Sequence, residues 1–177
     1  TPPPEGRDIA LVIDTSLTMS IDDFALQNQK ATRLAVLKDV MGRFIEQRAA
    51  DRIAILAFGS EAALLTPPTF DRDHVLAQLK RLQVGMAGDN TALGDAMGLA
   101  IKHLQQQKLR PAIILVSDGE PSNTGDLTPA EAVAVARQLG VAIHTLQIGS
   151  SLFAAGRAPV PEKDPQPELA DIARLTG

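Results

Sequence analysis

Short runs of apolar, largely β-branched residues alternate along this chain with longer segments of helical spacing. The apolar runs cover residues 8–13, 52–58, 112–116 and 141–148, and the helical segments cover 33–47, 71–82, 91–104 and 129–139. A strand that is apolar throughout is buried on both faces, as strands of parallel sheets are. Regular alternation of such strands with helices predicts an α/β fold with a parallel sheet covered on both sides.

One further strand is predicted at an edge of this sheet. Residues 62–65 form a short apolar segment that is followed by Pro67-Pro68, and proline in a sheet is confined to edges and strand ends. The expected fold is therefore a Rossmann-like, doubly wound, mostly parallel sheet with helices on both faces and one short antiparallel edge strand. Residues 150–166 contain several Gly and Pro residues and are predicted to be a loop before a last helix over 167–175.

Composition excludes several classes of function. The chain has 177 residues, a net charge of −4, no Cys, no Trp and no Tyr. Without a basic run, binding of nucleic acid by phosphate neutralisation is disfavoured, and without Cys there is no disulfide, Cys-type zinc site or thiol catalysis. We expect a single domain over residues 1–177 that was cut from a longer protein.

Polar residues follow the apolar runs at the positions where ligands bind in open α/β sheets, beyond the carboxyl ends of the strands. Asp14, Ser16 and Thr18 follow the first run, Asp118 follows the third, and Thr91 opens a helix after a loop. In an extended loop, side chains two positions apart point the same way, so Asp14, Ser16 and Thr18 share one side. Carboxylates and hydroxyls are ligands for hard cations, which predicts Mg²⁺, or else Mn²⁺ or Ca²⁺.

These five residues resemble the metal-ion-dependent adhesion site of von Willebrand factor A-type (VWA) domains, whose pattern is D-x-S-x-S, a distant Thr and an Asp in a strand-end D-G. The resemblance covers nearly the whole chain. It implies that Ser16, Thr18 and Thr91 supply hydroxyl ligands, that Asp14 and Asp118 act mainly through bound waters, and that a partner's Asp or Glu takes the open metal position. Thr18 departs from the commoner Ser, which keeps the hydroxyl and adds a methyl group.

Longer stretches are similar to the bacterial Bat (aerotolerance) membrane proteins. Members carry the VWA domain between transmembrane helices and are usually encoded near MoxR-type AAA+ ATPases. This resemblance implies anchoring in the bacterial inner membrane through flanking segments, a periplasmic domain, and other Bat proteins or a MoxR-type ATPase system as partners. The stretches that carry it are residues 7–9, 19–24, 32–34, 51–53, 58–59, 67–71 and 91–96.

Other chemistry has weaker support. The three histidines, His74, His103 and His144, show no zinc-protease spacing, and neither a G-x-S-x-G elbow nor a Walker lysine is present. The leading hypothesis is a binding module of a stress-response or protein-maturation complex that is not an enzyme. Two alternatives stay open, namely a metal-assisted hydrolase with Asp14 or Asp118 as base for a bound water, and a structural scaffold that needs no metal.

Overall fold

The computed structural model of the protein describes residues 6–88, 92–105, 110–117 and 129–147. In this part of the chain, five strands form a sheet in the order β5-β4-β1-β6-β7. All neighbouring strands pair in parallel except β5, which runs antiparallel to β4 at one side of the sheet. The strands are β1 (Arg7–Asp14), β4 (Arg52–Phe58), β5 (Ala62–Thr69), β6 (Arg110–Ser117) and β7 (Ala142–Gln147).

Within the described residues, four helices cover this sheet, two on each face. One face packs against α1 and α2 through residues such as Leu37, Ile45 and Val75, and the other packs against α3 and α4 through residues such as Met97 and Ala136. The helices are α1 (Arg33–Glu46), α2 (Arg72–Lys80), α3 (Leu93–Leu104) and α4 (Pro129–Leu139). The predicted doubly wound α/β fold is therefore confirmed.

The central strand shows why the apolar runs had to be continuous. Along β1, Ile9, Leu11 and Ile13 contact the α1 and α2 side, whereas Ala10 and Val12 contact the α3 and α4 side. Because side chains alternate between the faces of a strand, a sheet covered on both sides needs an apolar residue at every position.

The edge strand is longer than predicted. It was expected to end at Leu65, before Pro67-Pro68, but β5 continues to Thr69 and pairs Thr66 and Thr69 with Ile55 and Ile53. Proline lacks an N–H, which an edge strand tolerates on the side without a partner strand. The register shifts beside this stretch adapt the pairing to the two prolines.

A small hairpin lies between the 3-10 helix Leu17–Ser20 and α1, where the sequence predicted only a polar loop. It consists of β2 (Phe24–Leu26) and β3 (Gln29–Ala31), which pair antiparallel. Its two turn residues, Gln27 and Asn28, have φ of 50° and 66°. Two-residue hairpins favour turns of this kind, although Asn-Gly is the usual sequence, so the signal was weak.

The ends of the parallel strands define two edges that the rest of the description uses. The carboxyl edge is where β1, β4 and β6 end, at Asp14, Phe58 and Ser117, and the amino edge is where β1 and β4 begin, at Arg7 and Arg52. At the amino edge the fully buried Asp8 accepts hydrogen bonds from Arg52 Nε at 2.7 Å and Nη2 at 2.9 Å. This bidentate pair joins the second residue of β1 to the first residue of the neighbouring strand β4.

Two of the described helices begin at residues whose side chains cap them. Asp71 caps α2 by accepting a hydrogen bond from the His74 N–H, and Thr32 caps α1 in the same way. The predicted helix over 167–175 and the loop before it lie outside the described residues, and the single domain over 1–177 stays a prediction. No helix within the described ranges is both long enough and apolar enough to cross a membrane.

Candidate metal centre

The carboxyl edge has its topological switch point between β1 and β6. The chain leaves β1 toward β4 on one side and later returns to place β6 on the other side. Connections that diverge in this way open a crevice at the strand ends, which is where ligands bind in such sheets. Asp14 ends β1 and Ser117 ends β6, so both residues lie at this crevice.

Asp14 ends the central strand at this edge, and its side chain has no exposed surface. Its Oδ1 accepts a hydrogen bond from the Ser16 N–H at 2.8 Å. Its Oδ2 accepts one from the Ser117 hydroxyl at 2.8 Å. Burying a carboxylate is costly unless it is paired with donors or a cation, so both bonds stabilise the negative charge of this buried side chain.

The two hydroxyls of the D-x-S-x-T motif lie side by side. Ser16 Oγ and Thr18 Oγ1 are 3.3 Å apart; Ser16 is buried and Thr18 is half-buried. Neighbouring ligands of an octahedral ion are separated by √2 times the bond length, which is about 2.9 Å for Mg²⁺ and about 3.5 Å for Ca²⁺. The spacing of these two oxygens therefore fits two adjacent ligand positions on a hard divalent cation.

Thr15 fixes the motif loop to its neighbours. Both its N–H and its hydroxyl donate to the carbonyl oxygen of Phe58, at 2.8 and 3.1 Å. Its own carbonyl accepts from the Gly85 N–H at 2.7 Å. The loop that carries Ser16 is thus joined to the end of β4 and to the turn that follows α2.

Gly59, directly after β4, allows a close approach of two backbone segments. A Cβ at this position would lie 2.3 Å from the Gly88 carbonyl oxygen and 2.8 Å from that of Ala87, so no other residue fits without a backbone shift. The Gly59 carbonyl accepts a hydrogen bond from the Ala92 N–H at 2.5 Å. This contact holds the start of α3 against the carboxyl edge.

Of the five predicted metal ligands, the structure describes Asp14, Ser16 and Thr18 and brings them together. Thr91 and Asp118 lie outside the described residues, although their chain neighbours Ala92 and Ser117 lie at the same edge. Within the described ranges, no three His, Cys, Asp or Glu side chains are grouped so that they could hold a metal. A site built largely from hydroxyls is not expected to form such a group.

Ser117 was not among the residues selected from the sequence, because a Ser before Asp-Gly is indistinguishable from an ordinary turn residue. Ser117→Ala removes the hydroxyl that donates to the buried Asp14, and we expect divalent-cation affinity to fall about tenfold, as for other residues that orient a ligand. Calorimetric titration with Mn²⁺ measures it. Ser20→Ala, which removes an exposed hydroxyl from the same loop, should bind like the wild type. An unchanged affinity for Ser117→Ala would contradict this role.

Comparison with known sequences identifies the family of this chain. The profile described as "von Willebrand factor type A domain" matches residues 9–120. An uncharacterized protein of Borreliella burgdorferi is 31% identical over 147 residues, which is 82% of this chain and 42% of that protein. The chain spans about half the length of the curated relatives it matches.

Solved structures share the fold over almost the whole chain. An uncharacterized membrane spanning protein from Vibrio fischeri is 35% identical, with a TM-score of 0.56 over 97% of this chain and 88% of that one. BatB from Bacteroides thetaiotaomicron is 20% identical, with a TM-score of 0.78 over 97% and 87%. The mussel-byssus protein PTMP1 is 19% identical, with a TM-score of 0.72 over 96% of this chain and 39% of that one. Its structure has zinc at its metal-ion-dependent adhesion site (MIDAS) motif.

Proposed function

Because the chain belongs to the von Willebrand factor type A domain family, we propose that it is a cation-dependent protein-binding module. It binds Mg²⁺, or else Mn²⁺ or Ca²⁺, at the carboxyl edge, and the cation holds an Asp or Glu carboxylate of a partner protein. Ser16, Thr18 and Thr91 would supply hydroxyl oxygens, and Asp14 and Asp118 would hold metal-bound waters. PTMP1, which has the same fold, carries zinc at its MIDAS motif.

The observation that carries this proposal is the buried Asp14 beside two adjacent hydroxyls. Both Asp14 oxygens already accept protein hydrogen bonds, which favours contact with the cation through water. Ser16 and Thr18 offer neutral oxygens, so the set neutralises a divalent ion only in part. The cation supplies residual positive charge, which is an attractive point for a partner carboxylate.

A binding role is favoured over hydrolysis by where the histidines lie. His74 is in the first turn of α2 and His103 in the last turn of α3, and both turns are at the amino edge. His144 lies midway along β7, paired with Ile114. None of the three lies at the carboxyl edge, so a hydrolytic reaction beside the metal would have no histidine as its proton donor or acceptor.

Calorimetric titration with Mg²⁺ and Mn²⁺ tests the proposal on matched serine variants. Ser16→Ala removes a hydroxyl from the proposed ligand set, and its affinity should fall at least about tenfold. Ser20→Ala removes a hydroxyl from the same 3-10 turn, where it donates to the Leu17 carbonyl at 2.7 Å, and it should bind like the wild type. Equal heats from all three proteins would refute the metal site.

We further propose that the domain belongs to a Bat-type protein of the bacterial inner membrane and lies on the periplasmic side. Other Bat proteins or a MoxR-type ATPase system would be its partners, in stress response or protein maturation. The 35% identity to a membrane spanning protein over nearly the whole chain supports this assignment. In the full-length protein, protease added to intact spheroplasts should cleave the domain, and complete protection would contradict a periplasmic location.

A further inference from the structure

The carboxyl edge carries exposed apolar side chains beside the proposed metal ligands. We propose that the partner presents its carboxylate between large apolar residues, which pack on an apolar rim formed by Leu17, Ile21 and Met86; this inference rests on the proposed function. These side chains are 53%, 41% and 44% exposed. Large apolar side chains grouped on a surface mark a site of contact with another molecule.

Leu17 lies within the motif itself, between Ser16 and Thr18. In the 3-10 helix Leu17–Ser20, residues three apart share a side. Ser16 and Met19 are buried, and Leu17 and Ser20 are exposed. The turn therefore exposes the Leu17 side chain to solvent at the position between the two hydroxyl-bearing residues of the motif.

Met86 and Ile21 are held close to the motif loop by backbone hydrogen bonds. Met86 follows Gly85, whose N–H donates to the Thr15 carbonyl at 2.7 Å. Ile21 donates its N–H to the Thr18 carbonyl at 3.2 Å and accepts from the Arg33 N–H at 2.9 Å. Met86 therefore follows a residue that bonds to the motif loop, and Ile21 bonds directly to the motif residue Thr18. These hydrogen bonds fix the backbone of the apolar rim relative to the site.

Charge at this edge argues against a run of acidic residues in the partner. Asp22 is exposed next to Ile21. Glu61 is also exposed, and its N–H donates to the carbonyl of Ala87. Like charges that approach within a few ångströms repel, so further carboxylates next to the one on the cation weaken binding. The complementary segment is a single Asp or Glu flanked by side chains such as Leu, Ile, Met or Phe.

Peptide binding followed by NMR of the ¹⁵N-labelled protein, in Mg²⁺ and in chelator, tests the inference. Three pools share a central Glu and differ in the two flanking positions on each side, which are apolar, polar uncharged or acidic. In Mg²⁺ we expect the apolar pool to bind about tenfold more tightly than the other two, since one buried aliphatic side chain suffices for that factor. Leu17→Ser with Met86→Ser should reduce its affinity to that of the polar pool without changing Mg²⁺ affinity.

Phe70→Ser is the matched control, because Phe70 is a similarly exposed apolar residue at the amino edge. It should bind all pools like the wild type. Equal affinity for the apolar and polar pools, or tightest binding of the acidic pool, would overturn the inference and leave the proposed function standing. Absence of Mg²⁺-dependent binding by every pool would contradict the proposed function, and the inference with it.

Discussion

Asp14→Asn is expected to remove most of the stabilisation that Mg²⁺ gives the protein while leaving the metal-free fold at least as stable as before. The amide keeps the shape of the buried side chain and its acceptor for the Ser16 N–H, but it removes the negative charge. We expect cation affinity to fall about 100-fold or more. Without metal the variant no longer buries a charge, and this relieves a cost that the wild type bears.

The linkage between binding and folding sets the size of the effect. At a Mg²⁺ concentration of 100 times the wild-type Kd, the wild type gains about 2.7 kcal/mol, whereas a variant with a 100-fold higher Kd gains about 0.4 kcal/mol. Urea unfolding with Mg²⁺ and with chelator measures both values. Asp22→Asn, which removes an exposed carboxylate from the same edge, should gain as much as the wild type. An undiminished gain in Asp14→Asn would show that the cation binds elsewhere.

Arg52→Ala is expected to have the largest effect on the metal-free fold, about 3 kcal/mol in the free energy of unfolding. The change takes away both guanidinium hydrogen bonds to Asp8, a carboxylate with no exposed surface. It also removes the guanidinium that lies 5.8 Å from the centre of the Phe70 ring. Because the pair lies at the amino edge, the loss should be the same with Mg²⁺ and with chelator.

The control for this prediction is Arg43→Ala on α1. Arg43 pairs with Asp39 one helical turn away, and both side chains are exposed, at 70% and 37%. Exposed pairs of this spacing are worth about 0.3–0.5 kcal/mol. Urea unfolding of Asp8→Leu with Arg52→Met should recover most of the stability that Arg52→Ala loses, because it removes both charges. If Arg52→Ala unfolds no more easily than Arg43→Ala, the buried pair does not stabilise the fold.

The fold could be predicted because its signals are local and repeated. Each central strand has a continuous apolar run through its middle, each described helix has an amphipathic stripe, and Thr32 and Asp71 cap α1 and α2 through hydrogen bonds. The β2–β3 hairpin could not be predicted, since Gln27 and Asn28 adopt positive φ without the glycine that usually marks such a turn. The full length of β5 depends on which side of the strand lacks a neighbour, and that is a property of the assembled sheet.

The candidate site divides in the same way. Asp14, Ser16 and Thr18 could be selected because they follow the predicted first strand at every second position, a spacing that puts their oxygens on one side of an extended loop. The hydrogen bond from Ser117 to Asp14 joins residues 103 positions apart. The two hydrogen bonds from Thr15 to the Phe58 carbonyl oxygen join residues 43 positions apart. No local pattern predicts such contacts, because they depend on the order of the strands in the sheet. Thr91 and Asp118 stay predictions.

The attachment of Thr15 to the Phe58 carbonyl and the Gly85 amide has a consequence for protein engineering. The groups that bond to Thr15 are both main-chain groups, the carbonyl of Phe58 and the amide of Gly85. These hydrogen bonds therefore do not depend on which side chains occupy positions 17, 21 and 86. Under the proposed function, recognition can therefore be redesigned at those three positions while the motif loop keeps its shape. The proposal makes the domain suited to libraries in which target preference is randomised and the expected cation dependence serves as a release switch, with elution by chelator.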